Sequence, residues 1–100
     1  MRTISSLLSL EGRVYVYLKN TDTSSLFLKN AEKEGITFCD GALPTERHDS
    51  DIFALNRDRT INYVGWIGHM AFMYSKHLAG EQLVRVDYER FAAGDEDFVF

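Results

Sequence analysis

The sequence predicts an α+β fold, a mainly antiparallel sheet of about five strands with one principal helix packed on one face. Three observations carry this expectation. The stretch "NTDTSSLFLKNAEKEG" has both a capping start and a glycine stop, so it reads as a helix with marked ends. Several β-favouring runs are short and bounded by turn chemistry. Only that one helix is long enough to cross between parallel neighbours, which leaves antiparallel pairing as the economical arrangement.

After Gly12, "RVYVYLK" sets Val14, Tyr15, Val16, Tyr17 and Leu18 in a row, a strand buried on at least part of both faces. In the helix, Thr21, Asp22 and Thr23 offer capping side chains, Leu26, Phe27 and Ala31 form the apolar stripe, and Gly35 ends it. "ITF" resumes β character briefly. "CDGALPTERHDSD" is a loop, with Asp40-Gly41 favouring a tight turn and Pro44 biasing Leu43 toward an extended shape. Residues 52–55 and 60–64 flank the polar "NRDR" and read as a hairpin whose turn spans those four residues. "WIGHMAFMY" reads as a strand, apolar on both faces and therefore central or covered by a partner, with Trp66 enclosed as a core residue. "KHLAGEQ" breaks the pattern. "LVRVDYERF" follows as a half-solvated strand, with Val84, Val86 and Tyr88 on one face and Arg85 and Asp87 on the other. Phe98, Val99 and Phe100 are costly to leave in water and are expected to dock on the body or on a second subunit.

An apolar content of 45% over 100 residues is well above that of disordered acidic chains, and it fits a single compact domain, 1–100, with one core. A net charge of −4 disfavours general nucleic-acid binding, which calls for a cationic surplus. Cys39 stands alone, and no Cys/His pair has zinc-ligand spacing, so the expectation is a reducing, cytoplasmic setting with no cofactor. No apolar run approaches the roughly 18 residues of a membrane span, and "MRTISSLLSLEG" falls short of a secretory segment, so no membrane association is expected.

The segments "RVYVYLK", "AEKEG", "DGALPTERH" and "TINYVGWIGHMAF" resemble a group of small uncharacterised proteins encoded by bacteriophages and prophages, over residues 11–91. That resemblance implies a protein acting in the cytoplasm of the bacterial host. It further implies binding of a host factor, such as a component of antiviral defence, or of a nucleotide-like signal, and it assigns no catalytic residue.

Candidate residues fall in two places. The loop holds Cys39, Glu46, Arg47, His48, Asp49 and Asp51; a Cys nucleophile would need His48 brought to it from across Pro44, and a small semi-buried residue at a strand end is the plainer reading of Cys39. Glu46, Arg47, His48 and Asp49 are the candidate recognition residues there. In "YVGWIGHM", Gly65 and Gly68 flank Trp66, which offers an aromatic anchor, while His69 reads as a hydrogen-bonded core or interface residue. The "NTDTSS" helix start is a possible phosphate site on geometry, but Asp22 repels an anion there. The resulting expectation is a small phage-type binding protein without catalysis, forming a homo-oligomer and acting on a host protein or nucleotide-like ligand. The alternatives are a metal-dependent hydrolase using His48, Asp49 and Asp51, and a purely structural assembly protein.

Overall fold

A computed structural model describes residues 2–75, 77–78 and 80–100, with the backbone alone at 75, 77 and 78. The chain opens with a 3-10 turn, Ile4–Ser9, whose free N–H groups are capped from a distance. The Glu34 carboxylate accepts from the N–H of Ile4 at 2.7 Å and of Ser5 at 2.9 Å. Then come β1 Arg13–Tyr17, α1 Thr21–Lys33, β2 Thr37–Phe38, a 3-10 turn Pro44–Glu46, β3 Ile52–Leu55 and β4 Thr60–Tyr63. Next, α2 Trp66–Met70 runs into a π-type turn, Ala71–Ser75, and β5 His77–Leu78, β6 Glu81–Asp87 and α3 Tyr88–Ala92 follow.

The α+β class is as expected, but the sheet is mixed. Its strand order is β2-β4-β3-β1-β6-β5. The pairs β1–β3, β3–β4 and β5–β6 are antiparallel, whereas β1–β6 and β2–β4 are parallel. α1 carries the chain over the sheet from β1 to the edge strand β2, and the α2 excursion returns it beside β1. A close approach secures that central parallel pair. Gly12 takes φ +106°, and a Cβ on it would stand 2.5 Å from the Gln82 carbonyl oxygen.

Local chemistry accounts for most of the ends. α1 is capped by Asn20, whose side chain accepts from the Thr23 N–H at 2.9 Å, so Thr21, Asp22 and Thr23 form the first turn and not the cap. At the other end Gly35, with φ +77°, and Ile36 donate back to the carbonyls of Glu32 and Ala31 at 3.1 and 3.0 Å, a paired closure that only a left-handed residue permits. The β3–β4 hairpin has the four-residue connection read from "NRDR", closed by the Asn56 N–H to the Thr60 carbonyl at 2.8 Å.

Two apolar layers sandwich the sheet. Phe27, Leu28 and Ala31 of α1, Ile4 and Leu7 of the first turn, and Tyr88 and Phe91 of α3 cover one face. On the other face, Ala71 and Phe72 cover Tyr15, Ile52, Ala54, Val64 and Leu83. Alternation on β1 and β3 supplies both sets, since Val14, Val16, Phe53 and Leu55 point one way and Tyr15, Ile52 and Ala54 the other.

Three sequence expectations are corrected. "WIGHMAFMY" is helical, not a strand: Gly68, Ala71 and Phe72 are buried at helical spacing, and Gly68 lets the helix sit on the sheet. A Cβ at Gly68 would stand 2.4 Å from Val64 Cγ1 and 3.0 Å from the Tyr15 hydroxyl, so this seat needs a glycine and overrides local β preference. Within "KHLAGEQ", His77 and Leu78 pair with Gln82 and Glu81 as one arm of a hairpin, while residues 76 and 79 lie outside the described residues. In "LVRVDYERF" the strand stops at Asp87, whose side chain caps α3, so Tyr88 belongs to a helix. The terminal residues dock on the body. Val99 bridges Val86, the Asp87 N–H donates to the Phe98 carbonyl at 2.7 Å, and Phe98 meets Phe91 edge-on at 5.0 Å.

Candidate functional site

The second face of the sheet ends in an apolar ridge. Trp66 is 76% exposed, Ile67 72%, Met70 39%, Met73 60% and Tyr74 74%. Their spacing follows from the helical turn: Met70 lies three and four positions from Ile67 and Trp66 on one side, and from Met73 and Tyr74 on the other. A helical segment apolar all round ordinarily belongs in an interior. Here the inner side is filled by Gly68, Ala71 and Phe72, and Trp66, Ile67, Met70, Met73 and Tyr74 face water. Trp66 is therefore not the enclosed core residue that the strand reading implied. Gly65, extended at the N-cap, turns the chain so that Trp66 begins the helix on the solvent side.

Both ends of this segment are anchored by charge. At the first turn, His69 Nε2 lies 3.1 Å from Asp51 Oδ1 and Nδ1 lies 3.1 Å from the Gly65 carbonyl oxygen. The bond to Asp51 holds the His69 imidazolium above the ordinary 6.5, outweighing partial burial, and the Gly65 carbonyl adds to it. Partial burial pushes Asp51 up, but the His69 bond and charge more than offset it, leaving Asp51 below the ordinary 3.8. At the far end Arg85 donates to the Phe72 carbonyl at 3.0 Å, with its guanidinium 5.6 Å from the ring centroids of both Phe72 and Phe100. Phe100 is itself exposed, and it meets Tyr17 and Phe72 edge-on at 5.8 and 5.9 Å, which extends the apolar surface past the π-type turn.

The loop residues are drawn elsewhere. Glu46 is exposed at the end of its 3-10 turn. Arg47 pairs with Asp40 and stands 5.2 Å over the Phe38 ring. His48 stacks on Tyr63 at 4.6 Å, and the Tyr63 hydroxyl donates to the His48 carbonyl at 2.6 Å. Asp49 is exposed, and Asp51 is committed to His69. The trio named for a hydrolase is thus split between Tyr63 and His69. Among the described residues no three His, Cys, Asp or Glu side chains gather as a metal site requires, and the side chain of His77 lies outside them. Cys39 is exposed, not semi-buried, and its Sγ faces Thr60 Oγ1 at 3.4 Å and Asn62 Oδ1 at 3.8 Å, with no histidine contact among the described side chains.

Between the loop and α1 runs a groove of about 300 Å³, with Thr21, Ser25, Leu28 and Lys29 on the helix side and Thr45, Arg47 and Asp49 on the other. Its two cations face one carboxylate, and Arg47 is already held by Asp40. Replacing Glu46, Arg47 and His48 together by Ala removes an exposed ion pair and a surface stack, so the expected loss of stability is only about 1 kcal/mol. Thermal unfolding checks this. A loss several times larger would make the loop structural.

Sequence reasoning singled out Trp66 and His69 but missed Ile67, Met70, Met73 and Tyr74 as a surface, and it missed the joining of His69 to Asp51. The size contrast of Gly68 and Ala71 against Trp66, Ile67 and Met70 was the available signal for a helix with a thin inner side. No family model, no curated protein and no solved structure matches this chain. Among the described residues no helix is long and apolar enough to cross a membrane.

Proposed function

We propose that this protein binds another protein without catalysing a reaction, and that the ridge of Trp66, Ile67, Met70, Met73 and Tyr74 is the recognition surface. The observation that carries this reading is the exposure of five large apolar side chains within nine consecutive positions, 66–74, on a segment held down at both ends. Trp66, Met70 and Met73 stand at i, i+4 and i+7, and Ile67, Met70 and Tyr74 at i, i+3 and i+7, spacings that fit an apolar groove on a partner, and methionines adapt their shape to such a groove. Resemblance to phage-encoded proteins supports a bacterial host protein, including a component of antiviral defence, as the partner, met in the host cytoplasm.

A photo-crosslinking residue at Met70 tests this in host extract. The expected result is a discrete heavier adduct that does not form when the same residue is placed at Glu46 and that disappears when Ile67 and Tyr74 are both changed to Asp. An adduct of twice the chain's mass, with concentration-dependent sedimentation of the pure protein, would instead assign the ridge to self-assembly into a homo-oligomer. Absence of any adduct at Met70 would overturn the reading. The groove beside Lys29 and Arg47 favours a second reading, a nucleotide-like anionic ligand, which a rise in melting temperature with added ADP-ribose would support.

A further inference from the structure

The two bonds of His69 make different demands on its ring. A neutral imidazole carries one N–H and one lone pair, so it can donate to a single acceptor. Here both ring nitrogens face acceptors, the Asp51 carboxylate and the Gly65 carbonyl, each at 3.1 Å. Only the doubly protonated ring satisfies both. In the neutral ring with Nε2 protonated, the Nδ1 lone pair would point at the Gly65 oxygen, which already accepts from the His69 backbone N–H at 2.9 Å.

These contacts position the ridge. Gly65 is the N-cap residue of α2, and Trp66 and Ile67 follow it directly. Asp51 immediately precedes β3, and its own carbonyl accepts from the Leu18 N–H at 2.7 Å just past β1, so it belongs to the rigid sheet. His69 therefore fastens the solvent side of the first turn of α2 to the centre of the fold, beside the seat that Gly68 takes against Tyr15 and Val64. Among the described side chains Asp51 is the charged group acting on the ring, with the Ser50 hydroxyl 3.4 Å from the same carboxylate oxygen.

We propose that His69 is a pH-responsive clamp on the recognition ridge: the imidazolium ties Gly65 to Asp51 and holds Trp66 and Ile67 in place, and loss of one proton frees the first turn of α2. This rests on the reading of the ridge as the binding surface, but its test uses the unbound protein. The sign follows from the two groups. The raised His69 contributes fully below 6.5 and loses its contribution as pH rises through its folded value. The lowered Asp51 contributes above 3.8 and loses its contribution as pH falls through its own. The clamp is tightest between those two reference values and opens on the alkaline side.

Imidazole NMR of the free protein, with the backbone amides of Trp66 and Ile67 followed in the same titration, tests the clamp. His69 is expected to titrate above 6.5 and to carry protons on both ring nitrogens in mild acid, with the Trp66 and Ile67 amides shifting at the same midpoint. Asp51→Asn should lower that midpoint, and His69→Gln should abolish the amide transition while the remaining amides show a folded protein. Titration of His69 at or below 6.5, or ridge amides that stay still through it, would overturn the clamp. Either result leaves the crosslinking test of the ridge untouched, so the two ideas fail separately.

Discussion

Trp66→Ala is expected to leave the protein folded and to remove about 2 kcal/mol or more of partner affinity, the loss typical of a central aromatic anchor. With the side chain 76% in water, little native burial is surrendered, and exposed substitutions of this kind change stability by about 0.5 kcal/mol or less. As the only tryptophan, Trp66 also reports on itself: its emission should be water-like in the free protein and move to the blue when a partner covers it. Isothermal titration with the crosslinked partner, paired with denaturation of the variant, reads both quantities. Full affinity in a folded Trp66→Ala protein would remove Trp66 from the recognition surface, and an unfolded variant would mean that the residue supports the fold.

Phe53→Ala is expected to do the opposite, destabilising the chain by about 3 to 5 kcal/mol. Phe53 is fully buried at the centre of the sheet, stacked on Phe27 at 5.7 Å, with the rings of Tyr63 and Phe38 at 5.3 and 6.0 Å. Removing it leaves three aromatic rings around a void that the backbone of β3, paired on both sides, cannot close. Small domains have roughly 5 to 15 kcal/mol in total, so much of the stability goes. Urea unfolding with an unchanged slope and a sharply lowered midpoint is the expected signature. A loss below about 1 kcal/mol would show that the core repacks around the missing ring.

The contrast between these residues marks what could be read from the chain in advance. β1, α1 and the β3–β4 hairpin were legible because each is specified locally, by a run of β-favouring residues, a capped and glycine-stopped stripe, or two runs around a polar turn. α2 was not, because Trp, Ile, Phe and Tyr prefer strands, and residues apolar on every side conceal a helical period. What decides its state is the space beneath Gly68, set by Tyr15 and Val64, and space between elements is not a property of a short window. The same limit applies to the site. His69 and Asp51 stand 18 positions apart, and their meeting depends on where α2 lands relative to the start of β3. The polar loop drew attention by composition alone, yet its Arg47 braces it internally at Asp40 and packs it on Phe38, while His48 ties it to Tyr63.

The parallel pairing of β1 with β6 also governs how the chain is born. Arg13 reaches Glu81, 68 residues later, and Val14 through Tyr17 lie in register with Val84 through Asp87. Ribosomes add about 5 to 20 residues per second, so β1 emerges several seconds before its partner exists. During that interval the earlier strands can form their hairpin and receive α1, but one side of β1 stays open, with its N–H and C=O groups unpaired beside Val14 and Val16. Such an edge is a template for any other extended chain nearby, and closure across so long a loop is slow. The nascent protein is consequently most vulnerable to clumping late in translation, and a premature stop between the end of β4 and Glu81 leaves a part-sheet whose β1 edge has no partner to close it.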